Sequence, residues 1–179
     1  MGKIVVIGLG NILCGDDAFG VFLAEKLYEL YDFPPNVEII DGGAQGPALF
    51  RYIERAERML VFDAVDFGLP PSTIVRREYG ELPLWIGAKK LTAHQNSFAE
   101  LLALADLKNV TPSEIVLIGA QIENTEFGTV LGDALNAKIP EALELALRCL
   151  ANWGVIPAKA SSVKTIIQNE LLESDFYRK

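Results

Sequence analysis

The chain has 179 residues, half of them apolar, and its 16 basic against 24 acidic side chains leave a net charge of −8. That length suits one domain with a sizeable core, and the acidic balance argues against nucleic acid or an anionic membrane as partner. Glycine breaks the opening MGKIVVIGLG before it reaches the apolar length of a signal peptide, and no run approaches the ~18 apolar residues that span a bilayer.

Taken in chain order, Lys3 to Gly8 is short and β-branched, which predicts a buried strand. From Asp17 to Tyr31, Phe19, Phe22, Leu23 and Leu27 recur at helical spacing. Val37 to Asp41 reads as a second strand. Pro47 fits a first helical turn, with a short helix over Ala48 to Arg55. Met59 to Asp63 is a third strand. Pro70 and Pro71 mark a loop before Thr73 to Glu78, whose Arg76 and Arg77 suggest an edge strand. Residues 80–92 read as a long loop. Gln95 to Leu107 is an amphipathic helix with Phe98, Leu101, Leu102 and Ala105 on one face. Glu114 to Ala120 reads as the last strand, and 121–138 as irregular chain broken at Gly128 and Gly132. Pro140 opens a helix to Trp153, closed by Gly154.

Strands that alternate with helices need long crossovers, which make parallel pairs with both faces covered. The expected fold is therefore α/β: a three-layer sandwich, with a mostly parallel twisted sheet of about five strands and helices on both faces. One domain is expected over residues 1–157, with 158–179 as a tail of unassigned structure.

Three side chains fall where such a sheet binds ligands, at turns by the carboxyl ends of strands. They are Asp17 in GLGNILCGDDAFG, Asp63 in MLVFDAVDFG, and His94, the one histidine, in LTAHQNSFAE. Two carboxylates and an imidazole make an O,O,N set for a divalent transition metal. Asp16 adjoins Asp17 and reads as the cap of the following helix. Cys14 and Cys149 form neither a disulfide framework nor a C-x-x-C pair. They read as small apolar residues in a reducing, cytoplasmic compartment. The start GLGN resembles a dinucleotide fingerprint, but Leu13 stands where the third glycine belongs. In DGGAQG, Asp41 precedes Gly42 and Gly43, whose bare backbone allows close approach of another chain.

In that order and spacing, GLGNILCGDDAFGV, VEIIDGGAQG, LVFDAVD and LTAHQNSFAE resemble the maturation endopeptidases of nickel–iron hydrogenases. The HQNSFAE block and the late NWGVIP resemble the subgroup that serves membrane-bound uptake hydrogenases. The likeness runs from residue 2 to about 157. It implies an α/β sandwich and a cytoplasmic, aspartyl-type endopeptidase. Such an enzyme removes a C-terminal extension from the precursor of the hydrogenase large subunit after nickel insertion. It implies metal positions at Asp17, Asp63 and His94, an acid required for activity at Asp41, and a substrate-binding loop at Gly42 and Gly43. The nickel arrives with the substrate and need not reside in the free enzyme. Two other classes stay open: a non-catalytic, nickel-recognising chaperone of the precursor, and a dinucleotide-binding domain. The chain has neither H-E-x-x-H nor G-x-S-x-G. The hydrolytic step is therefore open between Asp41 as general base on water and nickel polarising the scissile carbonyl.

Overall fold

The computed structural model describes residues 2–81, 93–128 and 130–161, without the side chains of 93–97. Five strands form the main sheet in the order β3-β1-β4-β6-β5. They are β1 (Ile4–Leu9), β3 (Val37–Gly43), β4 (Arg58–Val65), β5 (Ile74–Glu78) and β6 (Glu114–Gln121). The first four in spatial order run parallel, and β5 runs antiparallel to β6 at one edge. Every residue of β1 is buried, as expected of a central strand sealed on both faces. At the β5 edge, Arg76 is exposed and pairs with Glu78 at 2.9 Å, charge that discourages further strand addition.

Alternation along the strands feeds two cores. Ile4, Val6, Leu60, Phe62, Val116 and Ile118 pack under α1 (Phe19–Leu30) and α5 (Ile139–Asn152). Val5, Ile7, Met59, Val61, Ile115 and Leu117 pack under α2 (Phe50–Arg55) and α3 (Ala93–Lys108). The expected three-layer α/β sandwich is the fold, and Phe98, Leu101, Leu102 and Ala105 of α3 are buried as their spacing predicts.

Three expectations change. Glu114–Gln121 is not the last strand: Ala158–Lys159 (β7) pairs antiparallel with Tyr31–Asp32 (β2), so regular structure continues past residue 157. Two-residue strands carry no periodicity to read. The stretch 121–138 contains one helical turn, α4 (Asp133–Asn136), too short for a hydrophobic stripe. The loop expected over 80–92 starts as a 3-10 turn, Tyr79–Glu81, and its remainder lies outside the described residues, as does the tail from 162.

Helix α1 sits unusually close to the sheet. A Cβ added at Gly20 would lie 2.3 Å from the carbonyl oxygens of both Leu9 and Phe62, and one at Gly8 would lie 2.3 Å from Gly20 O. Bare backbone at both positions lets α1 rest on the ends of β1 and β4. The close helix–strand packing that a third fingerprint glycine provides is supplied here by Gly20, seven residues after Leu13.

Candidate active site

From β1 the chain crosses to β3 on one side, then returns past β1 to β4 on the other. Connections therefore diverge between β1 and β4, the switch point at which open α/β sheets bind ligands. Asp17 follows β1, and Asp63 lies in β4 one residue beyond its last pairing with β1. Helix α3 runs to the amino edge, where Lys108 meets Glu54 at 3.5 Å and Ser113 N–H donates to Glu57 O at 2.8 Å. Its opposite end, with His94 in the first turn, therefore starts toward the carboxyl edge.

The turn after β1 is built around Asp17. Gly10 takes a positive φ of 132°, and the place of its missing Cβ is filled by the Asp17 carbonyl, 1.8 Å away. No other residue type fits there. Asn11 N–H donates to Asp17 Oδ2 at 2.9 Å, and Asp17 N–H donates to Cys14 O at 3.1 Å. Asp17 is 1% exposed. Asp63 is 0% exposed. Its neighbours Phe62 and Ala64 pack toward α1 and α5 while Val61 and Val65 pack toward α2 and α3, so alternation sends Asp63 to the α3 face. A buried carboxylate is costly unless donors or a cation meet it, so two at one switch point mark a place built for charge. The structure brings Asp17 and Asp63 to the same edge. The side chain of His94 lies outside the described residues, and among the described residues no three potential ligands gather around one point.

Asp41 reaches the same edge from the other face. It pairs with Gly8 in register, and Val37 and Ile39, four and two residues before it, pack toward α1. Burial raises its pKa, and a hydrogen bond accepted from Gly43 N–H draws it part of the way back. Glu25 of α1 is raised as well, by burial first and then by the Asp41 charge. Gly43 holds a positive φ of 45°, while a Cβ at Gly42 would strike Ile7 Cγ1 at 2.8 Å and Gly8 O at 2.9 Å. The bareness of Gly42 is thus used inside the fold, to seat the turn on β1.

Asp16 does not cap the helix. Its side chain makes no cap bond. Its carboxylate instead accepts from the amides of Glu123 (2.9 Å), Asn124 (3.1 Å) and Gly132 (3.1 Å). The helix entry is a 3-10 turn, Gly15–Ala18, that points this side chain sideways to the segment after β6. Gln121 plays a similar part for the segment after β4. Its Oε1 accepts from Phe67 N–H (2.8 Å) and Leu69 N–H (3.2 Å), and its Nε2 donates to Asp66 Oδ1 (2.9 Å). Sequence reasoning missed both roles, because their partners are backbone amides far along the chain. The one signal was the adjacent acid pair, since neighbouring side chains cannot share a direction. Of the two thiols, Cys149 is core, with its pKa pushed up to about 11 by burial, and Cys14 is half-buried in the Asp17 turn.

A buried acid pair at the switch point of a three-layer α/β sandwich defines a ligand-binding or catalytic edge. The profile of the hydrogenase maturation protease family matches residues 21–149. A hydrogenase expression/formation protein HoxM from Azotobacter vinelandii is 42% identical over 157 residues, 87% of this chain and 76% of that protein. HupD from Rhodobacter capsulatus is 37% identical over 178 residues, 99% of this chain and 85% of that one. The structure of the hydrogenase maturating endopeptidase HybD from E. coli superposes with a TM-score of 0.84 at 31% identity, over 89% of this chain and 98% of that chain. The chain belongs to the hydrogenase maturation protease family, and it is an enzyme of the endopeptidase class. No helix among the described residues is long and apolar enough to cross a membrane.

Proposed function

We propose that this endopeptidase removes a C-terminal extension from the precursor of a nickel–iron hydrogenase large subunit once nickel is in place, acting in the cytoplasm. The observation that carries the reading is the pair of buried carboxylates, Asp17 and Asp63, flanking the switch point in a chain of this family. With the His94 imidazole they form the O,O,N set that grips the nickel the substrate brings. Three protein ligands leave coordination positions for the substrate's own cysteines. Only a loaded precursor then offers something to hold, and only it is drawn over the edge with its scissile bond in reach.

A peptide crossing the end of β1 has Asp63 on the α3 side and Asp41 on the α1 side. Asp41 is the candidate general base. Its pKa, raised by burial, moves toward the working pH, which suits a proton acceptor, and Gly43 holds its orientation. Polarisation of the scissile carbonyl by the substrate's nickel is the second route.

The test is incubation of the purified protein with nickel-loaded and nickel-free precursor, followed by mass spectrometry of both products. Release of the extension from the loaded form alone is expected. Equal cleavage of both forms contradicts nickel gating. Binding of the loaded form without cleavage establishes the chaperone reading instead.

A further inference from the structure

Four large apolar side chains stand in solvent on two segments beside the Asp17 turn. Ile12 and Leu13, 50% and 52% exposed, lie on the turn itself, and Phe127 and Val130, 78% and 83% exposed, lie on the segment after β6. They are half of the exposed large hydrophobics among the described residues; of the others, Leu104 and Leu107 share one turn of α3, and Leu30 and Ile156 lie on other elements. Scattered apolar residues are ordinary on a surface, whereas a group of them rimmed by polar residues marks an interaction site.

The two segments are fastened to each other. Gly128 N–H donates to Leu13 O at 2.7 Å, and Asp16 N–H donates to Asn124 O at 2.8 Å. The buried Asp16 carboxylate adds its bonds to Glu123, Asn124 and Gly132, which bracket Phe127 and Val130 in sequence. A connection with little regular structure is thereby tied at several points while Leu131 and Leu135 face the core and Phe127 and Val130 face water. Contacts within the fold do not account for Phe127 and Val130, which bury little of themselves. The position is continuous with the candidate site, because Ile12 and Leu13 share one turn with Asp17, tied through Asn11. The exposed charge on the two segments is of one sign: Glu123, Glu126 and Asp133 stand in solvent, and residues 9–24 and 121–137 contain no lysine or arginine.

We propose that these segments form a docking rim for the precursor polypeptide, taking an apolar stretch flanked by basic side chains next to the scissile bond, with Asp16 as the positioning residue that sets the rim. The inference rests on the precursor-processing reading and adds the chemistry by which the polypeptide itself, as distinct from its metal, is recognised. Phe127 and Val130 supply the apolar contact, and the acidic surround selects a cationic segment.

The experiment is steady-state cleavage of nickel-loaded precursor by the wild type, by Phe127→Ser/Val130→Ser, and by Asp16→Ala. A fourth protein, Leu107→Ser/Ile156→Ser, removes equally exposed apolar side chains elsewhere on the surface. The expected result is a KM raised about tenfold in the Phe127/Val130 double variant with kcat within about twofold, the signature of lost binding that is uniform between ground and transition states. Asp16→Ala is expected to raise KM and to speed hydrogen exchange at the amides of Glu123, Asn124 and Gly132. The Leu107/Ile156 variant is expected to match the wild type, and wild-type KM to rise with salt. An unchanged KM in the Phe127/Val130 variant overturns the proposal, as does an equal rise in the Leu107/Ile156 variant or a loss confined to kcat. The Phe127/Val130 substitutions sit on the surface, so they decide the matter even if Asp16→Ala fails to fold. Wild-type protein that leaves the loaded precursor intact overturns the processing reading itself, an outcome distinct from all of these.

Discussion

Replacing Gly20 by alanine tests the seat of α1 on the sheet, and with it the placement of Asp17. The new Cβ would lie 2.3 Å from Leu9 O and 2.3 Å from Phe62 O, where ordinary contact begins near 3.4 Å. Both obstacles are backbone of central strands, so no rotamer relieves the clash. Helix α1 has to lift by about 1 Å, a gap that forfeits roughly a quarter to a half of each contact it opens. Phe19, Leu23, Ala24 and Leu27 are fully buried beneath it and all lose contact together. Overpacking of this kind costs about 1–3 kcal/mol, occasionally more, and two rigid obstacles place this case at the upper end. Alanine's better helix propensity offsets about 1 kcal/mol. A net loss of about 2 kcal/mol lowers Tm by about 4–8 °C in a domain of this size. The assay is thermal unfolding followed by circular dichroism, with Gly80→Ala as control, since a Cβ there meets nothing within 4 Å among the described residues. Cleavage should fall further than stability does, because the helix begins two residues after Asp17. A Tm for Gly20→Ala equal to or above that of wild type would refute the reasoning.

Asp41→Asn separates a base from a turn holder. Near-complete loss of cleavage with nickel-dependent precursor binding intact assigns the base, while a rate close to wild type leaves Asp41 a turn-holding role through Gly43 and favours the nickel-polarised route. Glu25 and Asp41 both keep their protons to higher pH in the folded chain than in the unfolded one. The folded state thus binds more protons between the unfolded values near ~4 and the raised folded ones, and stability falls as pH rises through that window before levelling. Glu25→Gln should flatten the fall, measured as urea midpoints from about pH 4 to about pH 7, and an undiminished slope contradicts the assignment. Gln121→Ala leaves the amides of Phe67 and Leu69 without their acceptor and should cost about 1–3 kcal/mol in urea unfolding. A loss within error of zero would mean that water replaces the side chain.

Elements whose physics is local were legible from the sequence. The β-branched run at β1, the stripe Phe98, Leu101, Leu102 and Ala105, and the stop at Gly154 each carry a period or a break that needs no partner to be read. The sheet edge was legible too, through Arg76 and Arg77, because a charged pair fits poorly in a central strand. Roles defined by distant partners were not. Asp16 has a plausible local use as a cap, and its actual partners, Glu123, Asn124 and Gly132, lie more than a hundred residues away. Gly20 looks like a weak helix residue until the carbonyls of Leu9 and Phe62 are placed against it. The candidate ligands lie between these cases. Asp17 and Asp63 could be placed at the carboxyl edge from pattern alone, but their position on either side of one switch point follows from the strand order β3-β1-β4, which no local signal encodes. Asp41 was read as the end of the second strand, while its emergence on the face opposite Asp63 required the register with Gly8.

The central claim is that Asp17, Asp63 and His94 hold the nickel that the substrate carries. Nickel-edge X-ray absorption of the loaded precursor, alone and frozen in complex with the protein before cleavage, tests it most directly. Complex formation is expected to add oxygen and nitrogen scatterers to the nickel shell, and Asp17→Ala, Asp63→Ala and His94→Ala are each expected to remove part of that gain. A nickel spectrum identical in free and bound precursor, in a complex that goes on to cleave, would contradict it.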